Sequence, residues 1–520
     1  MKKVLALILI GVVCLGILSG CGQQKEAESE DENETETETE AAQEDETPEK
    51  KYLGEDIDNV RLFPTSDAGF VGDPMPYYED GVFHVFYLED LRDGKLGYHP
   101  WSIFETDNFY EYEYKGQVIP YGDSAEAQDI ALGTGSVMKD KNGTYHAFYT
   151  GHNDNYMPKE AVMHATSQDL YNWTKIPEDT LYAGENYSDV DFRDPYVFYV
   201  ENESRYWMLV TTRNDRTGVI VKYTSDDLSK WTDEGIFFEN DMESNSNLEC
   251  PSLLKYGDKW YLSFSDQWPD KQWHYRVSDS MTGPFEIPEQ DVVDCNENAF
   301  YAGRLETDGE NLYVFGWNAT KDKHFDDAAY TWAGNLVVHQ LVQAENGDLF
   351  PILNTSVKEK MNHELPLSPT KMTETIRQED NTFVYQGDKY EVVEFGKLRG
   401  SYLFQTTIKD FKEGERFGFA FNTDKNAVGS LNILFNMEEN AIEFYNTDEI
   451  YNTDPQSELA FDLQSAEELD VSILIDNWVV SMYVNDQCAF TARMYSSQGG
   501  GFGMFGINSG IRCENVRIYK

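Results

Sequence analysis

The sequence predicts an all-β protein with two folded domains, a five-bladed β-propeller followed by a C-terminal β-sandwich. Two observations lead to this prediction. Short motifs followed by aromatic-rich runs recur five times in the first part of the chain. Their spacing of about 50 to 60 residues, with about four strands in each unit, is typical of propeller blades. Beyond about residue 350 the strand-like runs continue without this repeat, and such runs favour a sandwich.

Each unit opens on a short motif near the start of its first strand. The five openings are Gly72-Asp73-Pro74, Gly135-Ser136-Val137, Arg193-Asp194-Pro195, Glu249-Cys250-Pro251 and Gly303-Arg304-Leu305. Turn pairs such as Asp80-Gly81 separate the strands of a unit, and they favour tight hairpins because glycine tolerates a positive φ. Since the innermost strands of a propeller lie side by side around its axis, the residues at their starts should meet at one mouth.

Three of these openings carry an acid. Asp73 and Asp194 lie at the starts of units one and three, and Glu249 lies beside the start of unit four. Any one of them alone is typical of a turn or cap. Three at matching positions predict glycoside hydrolysis, which needs one acid to protonate the leaving oxygen and one carboxylate to meet the cation-like carbon. Because neighbouring carboxylates repel, one keeps its proton while another is ionised.

The N-terminus predicts export and lipidation. Residues 1–21 resemble a lipoprotein signal peptide, in which 18–21 form a lipobox and Cys21 receives the lipid. Residues 22–55 predict an acidic, disordered tether, because 26–49 hold no aromatic residue and no aliphatic one larger than alanine. The expected location is the extracellular face of the bacterial cytoplasmic membrane, with the lipid as the sole membrane contact.

The remaining chain divides by pattern into a catalytic domain and a second domain. The propeller is predicted at 56–355, a linker containing Pro366 and Pro369 at 356–375, and the sandwich at 376–520. The formal net charge of −53 argues against a nucleic-acid partner and favours a neutral saccharide.

The 33 Tyr, 30 Phe and 10 Trp suit either a sugar-binding surface or ordinary β-sheet packing. The cysteines show no CxxC spacing, so neither a metal nor another cofactor is expected. Outside the cell the sequence allows either a disulfide between Cys488 and Cys513 or two free thiols.

In their order and spacing, the motifs together resemble those of glycoside hydrolase family 32, whose members act on β-fructofuranosides such as sucrose, inulin and levan. The matching segments are 70–76 for the nucleophile motif, 134–136 for Ser-Gly-Ser, 193–195 for Arg-Asp-Pro, 249–251 for Glu-Cys-Pro and 315–317 for Tyr-Gly-Trp. The resemblance covers roughly residue 60 to the end of the chain, including a sandwich pattern at 476–495.

The resemblance implies a role for each acid. Asp73 would be the nucleophile of a retaining mechanism, and Glu249, with a raised pKa, would be the general acid and base. Asp194 would hydrogen-bond sugar hydroxyls, while Arg193 would orient the site and keep Asp194 ionised.

Four further residues are candidates for substrate contacts. Trp101 is either a pocket wall or blade packing, and Asp129 either touches substrate or lies in a surface turn. Ser136 and Trp317 belong to the second and fifth matching motifs.

Three positions depart from the family pattern. Gly72 replaces the asparagine before the nucleophile, Met75 replaces the asparagine two residues after it, and Leu88 replaces a glutamine. The favoured function is a cell-surface, retaining hydrolase of levan, inulin or fructo-oligosaccharides. The alternatives are a fructotransferase that releases a cyclic difructose from levan, an arabinan- or xylan-type hydrolase, and a non-catalytic fructan-binding lipoprotein.

Overall fold

A computed structural model describes residues 62–92, 97–296, 298–387, 389–450 and 452–520. The predicted signal peptide, the lipidation site Cys21 and the acidic tether lie outside the described residues. Among the residues described, none of the helices has the length and apolar character needed to cross a membrane.

The first part of the structure is built from antiparallel sheets in which consecutive strands pair. Blade 1 contains β1 (Phe70–Glu79), β2 (Val82–Asp90), β3 (Trp101–Thr106) and β4 (Glu113–Ile119). Blade 2 contains β5 (Ala131–Lys139), β6 (Tyr145–His152), β7 (Glu160–Ser167), β8 (Trp173–Lys175) and β9 (Leu181–Tyr182). Blade 3 contains β10 (Phe192–Val200), β11 (Arg205–Asn214), β12 (Thr217–Ser225) and β13 (Thr232–Glu239).

Blades 4 and 5 complete the circle. Blade 4 contains β14 (Leu248–Tyr256), β15 (Lys259–Asp266) and β16 (Trp273–Ser278). Blade 5 contains β17 (Tyr301–Thr307), β18 (Leu312–Lys321), β19 (Tyr330–Gln343) and β20 (Leu349–Ile352). The innermost strands contact one another in a closed ring, in the order β1, β5, β10, β14, β17 and back to β1. Apolar side chains fill the spaces between neighbouring blades.

Every inner strand carries a bulge near its start, where its register with the next strand shifts. The residues in the bulges of blades 1, 3, 4 and 5 have positive φ, at 43° for Asp73, 58° for Asp194, 54° for Cys250 and 51° for Ala302. A bulge turns a strand and redirects its side chains. The repeated bulge therefore brings the starts of the five strands to the same end of the axis.

The bulges also correct the repeat inferred from sequence in two blades. In blade 2 the register shifts between Leu132 and Gly135, ahead of Ser136, which was aligned with Asp73. In blade 5 the shift lies between Tyr301 and Arg304, so Ala302 is the equivalent residue rather than Gly303. The sequence alignment was wrong there because a bulge adds residues without changing the hydrophobic pattern that follows.

The second part is a sandwich of two antiparallel sheets with aromatic residues such as Phe404, Phe419 and Phe502 between them. One sheet contains β21 (Lys371–Met372), β24 (Glu391–Lys397), β26 (Arg416–Thr423), β27 (Gly429–Asn436), β28 (Ala441–Tyr445), β29 (Ser457–Ala460) and β33 (Gly501–Ile507). The other contains β22 (Arg377–Glu379), β23 (Thr382–Val384), β25 (Ser401–Lys409), β30 (Glu468–Asp476), β31 (Val479–Val484), β32 (Cys488–Arg493) and β34 (Arg512–Tyr519). The prediction of a propeller followed by a sandwich is confirmed.

Short helices occur between strands. The predicted linker contains most of the helix α1 (Thr355–Lys360), whose first turn is capped by the Asn354 side chain, and strand β21. Single 3-10 turns lie at Pro177–Asp179, Asp322–His324 and Tyr495–Ser497. The four described cysteines, including Cys488 and Cys513, are buried free thiols.

Buried polar contacts join the propeller to the sandwich. His339 of blade 5 is fully buried and lies 3.0 Å from the Tyr483 hydroxyl and 3.1 Å from the Asp294 carboxylate. The same carboxylate accepts a hydrogen bond from the backbone N–H of Thr491 at 2.9 Å. Because these polar groups are buried and satisfied, they fix how the two domains pack.

Candidate active site

A cavity of about 340 Å³ opens at the starts of the inner strands. Its lining includes Asp73, Glu249, Tyr301, Trp317 and Trp332. Two of the three acids predicted to meet at the mouth, Asp73 and Glu249, thus face this cavity together with aromatic side chains of blade 5, whereas Asp194 of blade 3 does not line it. Such a cavity holds a small polar ligand between aromatic walls and a few charged groups.

Asp73 lies in the bulge of β1 and accepts two hydrogen bonds. Thr134 Oγ1 donates to Oδ2 at 2.8 Å, and Trp317 Nε1 donates to Oδ1 at 3.1 Å. Burial and then the charge of Asp194 raise the pKa of Asp73 to about 6, against the opposing effect of the two donors. The donors favour the ionised form, and they fix the direction in which each carboxylate oxygen points.

Glu249 lies directly before the bulge of β14. The Tyr301 hydroxyl donates to its Oε2 at 2.7 Å, and Arg193 Nε donates to its Oε1 at 3.2 Å. Burial raises the pKa of Glu249 to about 7, although the Arg193 charge and the Tyr301 hydrogen bond both lower it. Of the two carboxyls that line the cavity, Glu249 therefore holds its proton to the higher pH.

Arg193 connects Glu249 to a group of supporting polar residues. Its Nη1 donates to Glu160 Oε2 at 3.0 Å and to Asp191 Oδ1 at 2.9 Å, and its Nη2 donates to Gln267 Oε1 at 3.4 Å. The guanidinium is largely buried, and the surrounding carboxylates raise its pKa above the ordinary range. Arg193 therefore stays charged and restrains Glu249.

Asp194 is almost completely buried. Its Oδ2 accepts a hydrogen bond from the backbone N–H of Cys250 at 2.9 Å, and its own N–H donates to Thr150 Oγ1 at 2.9 Å. Burial raises the pKa of Asp194, whereas the Arg193 charge lowers it. Arg193 thus favours the ionised form of Asp194 by charge, while its hydrogen bonds go to Glu249 and the supporting residues.

Of the residues predicted to contact substrate, Trp101, Asp129 and Ser136 do not line this cavity, and neither do Arg193 and Asp194. Trp101 has no exposed surface, and its Nε1 donates to the Gly133 carbonyl at 3.0 Å, so it packs between blades. Asp129 is buried and pairs with Lys175. Ser136 lies beyond the bulge, where its hydroxyl accepts the Val197 N–H at 2.9 Å. These three expectations are corrected by burial and by partners within the protein, whereas Trp317 does line the cavity.

Sequence reasoning missed several residues of the site. Tyr301 occupies the position before the bulge in blade 5, as Glu249 does in blade 4, so the corrected repeat would have identified it. Thr134 belongs to the motif that ends at Ser136, and its hydroxyl is the one that reaches Asp73. Neither Glu160 nor Trp332 lies in a recognisable motif, and no signal in the sequence points to them.

Two family models together match nearly the whole described chain. The model of the glycosyl hydrolases family 32 N-terminal domain matches residues 65–352, more than half of the protein. The chain belongs to glycosyl hydrolase family 32. The model of the GH32, BT1760-like, C-terminal domain matches residues 356–518. The family 32 chain thus carries both domains expected from its sequence.

Curated relatives of this family 32 chain include several fructan enzymes. The levanase of Bacillus subtilis (strain 168) is 29% identical over 216 residues, 40% of this chain and 30% of the levanase. The fructan 6-exohydrolase of Beta vulgaris is 26% identical over 211 residues, 36% of this chain and 32% of that enzyme. The matches span about a third of the length of these two relatives. The raffinose invertase of Escherichia coli is 22% identical over 468 residues, 82% of this chain and 87% of the invertase.

Solved structures share the fold of the chain. The sucrose-6-phosphate hydrolase from Lactobacillus gasseri superposes with a TM-score of 0.67 at 19% identity, covering 89% of this chain and 92% of the hydrolase. The fructan 1-exohydrolase IIa from Cichorium intybus has a TM-score of 0.67 at 16% identity, covering 88% of this chain and 96% of that enzyme. These likenesses show the propeller and sandwich arrangement.

Proposed function

We propose that the protein is a retaining glycosidase that hydrolyses β-fructofuranosidic bonds of levan, inulin or fructo-oligosaccharides. The observation that carries this proposal is the pair of carboxyls Asp73 and Glu249 in one cavity, with pKa values of about 6 and about 7. Unequal pKa values in a carboxyl pair assign the base or nucleophile and the acid. The relatives named levanase and fructan 6-exohydrolase support the substrate class.

In the first step Glu249 donates its proton to the glycosidic oxygen while Asp73 attacks the anomeric carbon. The bond from the anomeric carbon to the leaving oxygen breaks, and a covalent fructosyl ester forms on Asp73. Thr134 and Trp317 hold Asp73 ionised and oriented for this attack. The leaving sugar departs as a neutral alcohol.

In the second step Glu249 acts as the base. It removes a proton from a water molecule, which attacks the anomeric carbon and displaces the Asp73 carboxylate. Free fructose is released with its original anomeric configuration. Arg193 and Tyr301 keep Glu249 in place in both protonation states, because both groups donate to its oxygens.

The carboxyls of Asp73 and Glu249 also make the lining of the cavity polar, which suits a sugar. Asp194 does not line the cavity and its Oδ2 accepts the Cys250 N–H, so we propose that its Oδ1 accepts a sugar hydroxyl once substrate is bound. Hydrogen bonds from hydroxyls to a charged acceptor are worth about 1.5–3 kcal/mol each. The expected partner is a neutral saccharide, since added negative charge would be repelled by the three acids.

For the location, we propose a lipid anchor on Cys21 at the extracellular face of the bacterial cytoplasmic membrane. The lipobox at 18–21 and the acidic tether that follows support it. Metabolic labelling with a fatty acid that carries a click handle tests it. The wild-type protein should be labelled and Cys21→Ser should not, and equal labelling of both would contradict the anchor.

Product analysis tests the reaction. The purified protein is incubated with levan, inulin and sucrose, and the products are separated and weighed by mass spectrometry. Free fructose supports hydrolysis, whereas a product one water lighter than difructose would identify the intramolecular transferase. No turnover, combined with binding that Asp73→Asn leaves intact, would establish a binding protein instead.

Two variants and a matched control locate the reaction in the cavity. Asp73→Asn and Glu249→Gln should each lower kcat by roughly a thousandfold or more, because each removes a group that reacts. Glu306→Gln is the control, since Glu306 is a half-buried carboxyl that lines a separate cavity and whose pKa burial raises to about 7. Its activity should stay within about twofold of wild type.

A further inference from the structure

We propose that Trp332 is a specificity-determining residue, whose indole takes the place of a hydrogen-bonding side chain beside the nucleophile and holds the bound sugar by apolar contact. The inference rests on the proposed function and concerns the substrate contacts of the same cavity. Trp332 lines that cavity, and 36% of its surface is exposed.

A bulge directs Trp332 into the cavity. Along the pairing of β18 with β19, Ala319 faces Gly334 but the next residue, Thr320, faces Thr331. Trp332 and Ala333 are therefore extra residues on β19. Ala333 has a φ of 63°, a conformation that a non-glycine residue adopts only when its surroundings impose it. A bulge of this kind turns a side chain away from the regular sheet direction.

The indole fills the space beside Gly72, the residue that precedes the nucleophile. A Cβ atom placed on Gly72 would lie 2.3 Å from Cη2 of Trp332 and 2.4 Å from Cζ2. No side chain fits at position 72 while the ring is there. Where the family pattern has an asparagine amide, this chain presents the edge of an aromatic ring.

Several contacts within the protein position the Trp332 ring. Arg92 Nη2 donates to the Trp332 carbonyl at 2.7 Å and to Thr320 Oγ1 at 2.7 Å, so it spans the bulge. The His99 ring lies against the indole, with centroids 4.5 Å apart and an interplanar angle of 30°. Trp317, which donates a hydrogen bond to Asp73, packs edge-to-face against the Trp332 indole, with ring centroids 5.9 Å apart. A preorganised ring loses little entropy on binding.

The exchange of an amide for an indole changes what the wall recognises. An amide selects a hydroxyl group at a fixed position, whereas an indole contacts the C–H face of a sugar and excludes water. The contact is present before and during the reaction. Trp332 should therefore contribute mainly to KM, because binding that is equal in ground and transition states leaves kcat unchanged.

A double-mutant cycle tests the pairing of Trp332 with Gly72. Trp332→Ala should lower kcat/KM on a fructo-oligosaccharide about tenfold, mostly through KM, and Trp332→Phe should retain most of the activity. Gly72→Ala should also lower kcat/KM, because its methyl group displaces the ring. In the Trp332→Ala background Gly72→Ala should cost less than about twofold, since the space is then empty. Trp478→Ala, which removes an exposed indole from the sandwich, is the control.

The outcomes separate this inference from the proposed function. If wild type releases fructose but Trp332→Ala stays within about twofold of it, or the two substitutions are additive, the role of Trp332 is wrong. If wild type releases no fructose, the proposed function fails. Titration calorimetry then measures the affinity of wild type, the two single variants and the double variant for 1-kestose. Binding by wild type that Trp332→Ala weakens about tenfold supports the inference even so. Absence of both turnover and binding overturns both.

Discussion

Arg493 of the sandwich donates from Nη2 to the carbonyl oxygen of Asn318 in blade 5, at 2.7 Å. The same guanidinium donates to the Ala319 carbonyl at 3.0 Å and to Asn335 Oδ1 at 2.7 Å, and it has no exposed surface. Asn318 directly follows Trp317, whose indole holds Asp73. The second domain thus braces the strand that forms one wall of the cavity.

Arg493→Met should lower both stability and activity. It removes the Arg493 donor from the Asn318 and Ala319 carbonyls and from Asn335 Oδ1, and the loss of one partner of a buried charged group costs on the order of 3 kcal/mol. Chemical denaturation measures the loss of stability, and kcat/KM on a fructo-oligosaccharide should fall because Trp317 is less well held. Arg517→Met is the control, since Arg517 is exposed and its loss should change stability by less than about 0.5 kcal/mol. Equal effects of the two substitutions would show that Arg493 does not brace the site.

The sequence predicts the fold and the acids better than it predicts their surroundings. Repeat spacing identifies Asp73, Asp194 and Glu249, because repeated inner strands bring the residues at or next to their starts to one end of the axis. The hydrophobic pattern of the sequence does not reveal bulges, since a bulge adds residues without altering the alternation of apolar and polar residues that follows it. For this reason the repeat in the sequence pairs Ser136 with the wrong position.

Contacts between distant strands account for what the sequence could not predict. The donors to Glu249 are Arg193 and Tyr301, which come from blades 3 and 5, and only the folded ring brings them together. Trp101 has the residue type expected of a pocket wall, but its burial depends on how blades 1 and 2 pack. A residue type indicates a role only when exposure is also known.

The rate should depend on pH in a bell shape. Activity needs Asp73 ionised and Glu249 protonated, and their pKa values are about 6 and about 7. kcat/KM on sucrose or a fructo-oligosaccharide should therefore fall below about pH 6 and above about pH 7, with the apparent values belonging to the interacting pair. A rate that stays level from pH 5 to pH 9 would contradict these assignments.

Tyr301→Phe should move the alkaline limb of this profile. The Tyr301 hydroxyl stabilises the ionised form of Glu249 by donating to it at 2.7 Å, so its removal raises the pKa of Glu249. The alkaline limb should shift upward by roughly half to one pH unit, while the acid limb changes less. Tyr330→Phe, which alters another tyrosine of the same cavity, is the control and should leave the limb in place. A downward shift in Tyr301→Phe would contradict the direction of the hydrogen bond.

Glu249→Gln should stabilise the fold at neutral and alkaline pH. Because burial raises the pKa of Glu249 from 4.5 to about 7, the folded state binds a proton that the unfolded chain has already lost in this range. Stability from this carboxyl is therefore complete below about pH 4.5 and is lost as the pH rises through 7. A glutamine stays neutral throughout. The variant should gain on wild type as the pH rises, by on the order of 2 kcal/mol between pH 5 and pH 8.

Glu306 offers a matched comparison, because burial raises its pKa to about 7 as well. Glu306→Gln should show the same pH-dependent gain in unfolding free energy, measured by denaturant titration at pH 5 and pH 8, while it keeps its activity. Glu249→Gln should gain stability and lose activity. Burial of the Glu249 carboxyl destabilises the fold at neutral pH, but the same burial raises its pKa so that it is protonated for catalysis. A gain in Glu306→Gln without one in Glu249→Gln would mean that Arg193 and Tyr301 already offset the burial of Glu249 in the folded enzyme.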